Sequence, residues 1–151
     1  MSFKVERKKI IQLLKDYFSR NSSLYHIEIA FLYGSWSKGF PHKESDIDLA
    51  LLFSSPSQNE DILFDSINNI SYDLSLKIGK EVNIIDIKED FPYPMLYYNA
   101  IIYGIPIYVK NNELLIDLRL EAIRQMEDFK VFGIPWQQEV AQKILKEMTH
   151  A

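Results

Sequence analysis

The sequence predicts an α/β (α+β) domain in which about four short strands are flanked by helices, with a helical segment at the C-terminal end. Three observations carry that expectation. Apolar residues recur at helical spacing in several stretches, short apolar runs bounded by turn residues separate them, and the two kinds of segment alternate along the chain. At 151 residues, with 47% hydrophobic and 25% charged residues, the chain has the size and balance of one domain with a real core.

Taken in order, residues 3–20 place Val5, Ile10, Ile11, Leu13, Leu14, Tyr17 and Phe18 at helical intervals, and Asn21-Ser-Ser is expected to end that helix. Glu28–Tyr33 and Ile47–Phe53 read as buried strands. Ser54-Ser-Pro-Ser-Gln-Asn is a turn-rich loop. The helix expected over 61–77 turns Ile62, Leu63, Ile67, Ile70, Leu74 and Ile78 inward, with Gly79 as its C-cap. A third strand over 81–87, a helix over 94–103 ending at Gly104, and a short strand over 105–109 follow. A long helix is expected over 114–129. Gly133-Ile-Pro forms a helix–helix corner, and Pro135 opens a last helix through Met148. The segment 113–148 is expected to pack on the rest as part of a single domain 1–151, with no internal repeat.

Composition narrows the function classes. Met1-Ser-Phe-Lys-Val-Glu-Arg-Lys-Lys leads into an amphipathic segment rather than an apolar signal region, and no apolar run approaches the roughly 20 residues that cross a bilayer. The absence of cysteine excludes a disulfide scaffold and thiolate metal sites, and a cytoplasmic location with no membrane partner is the expectation. A net charge of −4 argues against direct nucleic-acid binding, which ordinarily leaves a basic stripe. Lys4, Arg7, Lys8 and Lys9 are read as a solvated helix face, as are Arg119, Glu121, Arg124, Glu127 and Asp128 near the C-terminus. The aromatics Phe91, Tyr93, Tyr97, Tyr98, Tyr103 and Tyr108 are expected to fill the core rather than stack on a base.

The chemistry concentrates between Gly34 and Asp48. A Gly34-Ser35 turn is followed, after ten intervening residues, by Asp46-Ile-Asp48. Glycine lets the backbone turn sharply and approach a phosphate without a Cβ. Ser35 offers an N–H and a hydroxyl to phosphate oxygens, and a helix beginning there favours anions at its start. Alternation along a strand points Asp46 and Asp48 the same way. Paired carboxylates repel and raise one another's pKa, a poor arrangement for stability that a divalent cation relieves. Mg²⁺ is commonly held by one or two carboxylates together with substrate phosphates. A chance match to this spacing arises in on the order of one chain in several hundred, so the flanking strands supply much of its weight. Ser45 shapes the turn before the second strand, and His42, with no second histidine at ligand spacing, is a bystander.

Gly34-Ser35 through Ser45-Asp46-Ile-Asp48 resembles the signature of the nucleotidyltransferase superfamily that includes DNA polymerase beta and the kanamycin nucleotidyltransferases. Lys80-Glu-Val-Asn-Ile-Ile-Asp-Ile87 resembles that family's third strand, and Tyr93–Val109 resembles the helix, glycine turn and short strand that follow. Length and the downstream segment look most like the minimal, MNT-type branch, similar to the MntA antitoxins encoded beside HEPN-domain toxins. The resemblance covers roughly residues 25–130. It implies a mixed sheet, ATP as substrate, Mg²⁺ held by Asp46 and Asp48 as the catalytic pair, Gly34, Ser35 and Lys38 at the nucleotide, and a HEPN toxin as partner. The implied reaction moves AMP from ATP to a protein hydroxyl, a tyrosine of the toxin. Transfer to a small acceptor such as an aminoglycoside ranks lower, because those enzymes usually carry an additional acceptor domain.

Related enzymes place a third Asp on the third strand, as metal ligand and base. Aligning Glu81-Val-Asn-Ile-Ile-Asp with the common Glu-Val-Asp-Leu-Val-Asp pattern puts Asn83 at that position. An amide oxygen can ligate Mg²⁺ but accepts no proton at neutral pH. Asp86, three residues on, falls on the other face unless a bulge intervenes, and Glu81 has the right parity but lies at the strand's start. The departure keeps a second reading open, an antitoxin that occludes its toxin without catalysis.

Overall fold

The computed structural model describes residues 3–38, 46–54 and 59–149, side chains 132–134 excepted. His42 and Ser45, and residues 55–58 of the turn-rich loop, lie outside the described residues. Along the chain run α1 (Phe3–Tyr25), β1 (Ile27–Tyr33), α2 (Ser35–Lys38), β2 (Ile47–Phe53), α3 (Glu60–Ile78), β3 (Val82–Asp86), α4 (Pro94–Ile102), β4 (Ile105–Val109), α5 (Asn112–Asp128) and α6 (Ile134–Thr149). A π-helical turn, Phe129–Gly133, joins the last two.

Four strands form one mixed sheet in the order β3-β2-β1-β4. β1 pairs antiparallel with both β2 and β4, while β2 and β3 run parallel. Pleating sorts the apolar residues into two cores. Ala30, Leu32, Ile47, Leu49 and Leu51 join Leu14, Phe18, Ile70 and Leu74 of α1 and α3 on one face. Ile29, Phe31 and Ala50 join Tyr97, Ile101, Leu118 and Ala122 of α4 and α5 on the other. The result is a three-layer sandwich with helices on both sides of the sheet.

Local chemistry explains most boundaries. Asn59 caps α3 by accepting from the Ile62 N–H at 2.8 Å, and Gly79, at φ 76°, ends it by donating to the Ser75 carbonyl. Pro106 sits in β4, an edge strand, where its missing N–H costs no central ladder bond, and the β1–β4 register shifts beside it.

Several expectations fail for tertiary reasons. Asn21-Ser-Ser does not end α1: Ser22 is buried one turn beyond Phe18, and the helix continues until His26 turns left-handed at φ 56°. Burial of Ser22 and packing of Tyr25 against the core outweigh weak helix propensity. Ile62 and Val5 are exposed rather than inward. Phe91 and Tyr97 do enter the core, but Tyr93 and Tyr103 are exposed. At Gly133-Ile-Pro the chain keeps helical pitch through the π turn, so the expected corner is a register change within helix. α5 packs on α4, whereas residues 135–149 of α6 are exposed rather than packed on the domain. Both sheet faces are already covered by α1 with α3 and by α4 with α5, which leaves no uncovered sheet face for it.

Candidate active site

β1 delivers the chain to the Gly34 turn at the end of the sheet. Gly34 adopts φ 76°, a left-handed conformation, and its carbonyl accepts from the Ser37 N–H (3.2 Å), the Lys38 N–H (3.3 Å) and the Ser37 hydroxyl (2.8 Å). These bonds form the single helical turn α2. Glycine is required twice over. A side chain would strain the backbone, and a Cβ at position 34 would stand 2.5 Å from Asp48 Oδ2. The turn and the carboxylate therefore lie in contact.

Asp46 precedes β2 and is exposed; Asp48 is its second residue and is half-buried. The ladder aligns Tyr33, Asp48 and Asn83 across β1, β2 and β3. Asn83 Nδ2 donates to Asp46 Oδ2 at 3.3 Å and to Asp48 Oδ1 at 3.4 Å, so one amide spans both carboxylates. Burial pushes the Asp48 pKa up, the Asn83 hydrogen bond opposes that rise, and the Asp46 charge adds to it. Tyr33 is pushed up to about 12, first by burial and then by the Asp48 charge.

The structure brings together Gly34, Asp46, Asp48 and Asn83, with Ser35 at the start of α2 and an exposed Lys38 at its end. It does not bring in Asp86, which pairs with Leu51 and lies on the opposite face, beside a groove at the other end of the sheet. Tyr97 spans that end, donating to the Asp86 carbonyl at 2.9 Å and accepting from the Lys88 N–H at 3.2 Å. The strand is regular, so Asn83 and not Asp86 faces the pair. Among the described residues no group of three or more His, Cys, Asp or Glu is placed to hold a metal. The oxygen-rich set of two carboxylates and one amide nonetheless fits a hard cation such as Mg²⁺, and the repulsion expressed at Asp48 is what such a cation removes.

Sequence reasoning missed the support beneath α2. Arg7, expected on a solvated face, is half-buried: its Nε donates to the Trp36 carbonyl at 2.7 Å and its Nη2 to the Ser37 carbonyl at 3.1 Å. Trp36 is fully buried, and Lys80 Nζ lies 5.4 Å above its ring. No local signal marks these residues, because the contacts span about thirty positions of sequence or more. On α5, Arg124 pairs with Glu121 and Asp128 as a surface face would, but the Arg119 Nε is buried without a hydrogen-bond partner among the described residues.

A mixed sheet that sets a glycine-serine turn against an acidic pair on the neighbouring strand defines a nucleotidyltransferase fold. The family described as Polymerase beta, Nucleotidyltransferase matches residues 8–113, and the chain belongs to it. That match starts earlier than the sequence signature did and takes in most of α1. The chain is similar to the protein adenylyltransferase MntA of Shewanella oneidensis, 29% identical over 85 residues, or 53% of this chain. It spans about half the length of that curated relative, 50%. Among solved structures, a chain of the toxin-antitoxin with AMP-PNP superposes with a TM-score of 0.66 at 15% identity, covering 87% of this chain and 98% of that one. A chain of the tri-AMPylated Shewanella oneidensis HEPN toxin in complex with MNT antitoxin gives 0.59 at 16% identity, covering 95% and 99%. At such identities these superpositions establish the fold. Among the described residues no helix is long and apolar enough to cross a membrane.

Proposed function

We propose that this chain is an antitoxin of the minimal nucleotidyltransferase type, which transfers AMP from ATP to a hydroxyl of a HEPN-domain toxin, a tyrosine, and thereby silences it. The observation that carries the reading is the convergence of Asp46, Asp48 and Asn83 on one face against the Gly34 turn. Similarity to a protein adenylyltransferase and to chains from toxin–antitoxin complexes supports the acceptor class.

Gly34 and the Ser35 N–H and hydroxyl would receive the terminal phosphates, with Lys38 offsetting their charge. Asp46 and Asp48, with the Asn83 amide turned to present its oxygen, would hold Mg²⁺. When bound, that ion would supply the positive charge that stabilises the departing pyrophosphate. The acceptor oxygen attacks the α-phosphorus, the bond to the β-phosphate oxygen breaks, and pyrophosphate leaves. The hydroxyl proton passes to water, since the Asn83 amide has no basic site at neutral pH. A cytoplasmic location accords with such a partner.

The test is co-expression with a HEPN-domain toxin, the partner this reading requires. Growth should be rescued and the toxin should gain mass in AMP units. Asn83, an amide where related enzymes carry a carboxylate, favours a second reading in which the chain occludes the toxin without catalysis. Rescue by the Asp46→Asn/Asp48→Asn double variant with no gain in toxin mass selects that one.

A further inference from the structure

We infer that Arg7 is a positioning residue for the nucleotide: through two backbone carbonyls it fixes the one-turn helix α2, and with it the Gly34-Ser35 turn. The inference rests on the nucleotidyltransferase reading of that turn. A helix of four residues cannot satisfy its own last carbonyls. Those of Trp36 and Ser37 are taken by Arg7 at 2.7 and 3.1 Å, from a helix separated from α2 by nine intervening residues. A guanidinium fork spans two adjacent carbonyls in a way that a point-charge ammonium does not.

The neighbouring residue reaches the same element through Lys80. Glu6 pairs with Lys80 at 3.4 Å, and Lys80 lies over the buried Trp36 ring just before β3. Consecutive residues of α1 thus tie the phosphate turn to the strand that carries Asn83. Among the described residues Arg7 has no carboxylate partner. No carboxylate among the described residues therefore offsets the guanidinium beneath a turn that would receive a polyanion.

The experiment compares wild type, Arg7→Ala and Arg7→Lys in the full chain by amide hydrogen exchange without nucleotide and by calorimetric titration of MgATP. In Arg7→Ala, exchange at the Ser37 and Lys38 amides should rise and MgATP affinity fall, each by about tenfold, the order expected when hydrogen bonds from a charged donor are lost. Core amides such as Leu74 and Ile101 should exchange as in wild type. Arg7→Lys should fall between, and it decides the matter alone if Arg7→Ala does not fold. Where transfer is assayed, the loss should appear in the KM for ATP, with kcat within about twofold. Unchanged exchange at Ser37 and Lys38 overturns the inference, and so does faster exchange with unchanged MgATP affinity. Failure of the wild type to bind MgATP instead overturns the nucleotidyltransferase reading, while the exchange data still decide whether Arg7 holds α2.

Discussion

The two ends of the sheet both gather carboxylates, yet they differ in kind. At one end Asp46 and Asp48 converge beside a left-handed glycine, with one amide bridging them. At the other, Glu28, Asp86, Glu89, Asp117 and Glu121 line a groove of about 580 Å³ together with Leu52, Phe53, Phe91 and Leu118. The second end holds more acidic groups, but they are spread over several elements, with only Asp117 and Glu121 sharing one, α5, among apolar neighbours. The first holds two, on one face and in contact with the left-handed Gly34 turn. Parity and proximity, rather than the number of charges, make the first a candidate for metal and phosphate.

The largest effect that should separate the two ends comes from neutralising carboxylates. Asp46→Asn or Asp48→Asn should lower AMP transfer by about 10³-fold, the scale of several kcal/mol of metal-assisted charge stabilisation. Asp86→Asn at the far end should leave transfer within about twofold. Initial rates of AMP incorporation check both, and activity lost in Asp86→Asn would place the third carboxylate at the wrong end for this account.

Asn83→Asp sharpens the contrast by completing an acidic triad at the first end. A base placed there should raise transfer by at least about tenfold, toward the 10²–10⁴ that a well-placed proton acceptor contributes. Mg²⁺ should bind more tightly by calorimetry, because a further negative charge joins the ligand set.

Two left-handed glycines provide a matched pair. Gly34 and Gly79 share φ 76°, but a Cβ at 34 meets Asp48 whereas one at 79 meets nothing within 4 Å. Gly34→Ala should weaken MgATP binding by roughly 10-fold or more, since strain of about 1–2 kcal/mol adds to the contact with Asp48. Gly79→Ala should cost stability of about 1 kcal/mol by the same strain and leave MgATP binding unchanged. Calorimetry and thermal melts of the two variants separate the effects.

The smallest effect concerns the metal-free protein. Asp48 has a pKa raised in the fold by burial and by Asp46, so its protonated form is favoured there. Its contribution to stability is fully present below the unfolded value of 3.8 and is lost as pH rises through the folded value. Asp48→Asn should therefore melt a few degrees higher than wild type at pH 7 without metal. The difference should shrink as pH falls toward 4, and Mg²⁺ should restore wild type more than the variant. A constant gap across pH would contradict the burial of this charge.

Much of the fold was legible because it rests on short-range patterns. β2 and β4 fall where apolar runs meet turn residues, and α3 ends at its glycine. The Gly34-Ser35 turn and the acidic pair were legible for the same reason: their spacing along one strand–turn–strand unit fixes which side chains share a face. Even the choice between Asn83 and Asp86 follows from the period of two in a regular strand, and the β2–β3 register places Asn83 beside Asp48. Tertiary contact decided the rest. Whether α1 stops at Asn21 or Tyr25, whether Tyr93 and Tyr103 enter the core, and whether α6 finds a surface depend on what faces each residue across the fold. Arg7 shows this most clearly. In the sequence it is one cation among four on a polar helix face; in the structure it holds two carbonyls about thirty residues away. Backbone carbonyls that need a donor leave no trace in side-chain pattern, so only the folded chain reveals which residue supplies it.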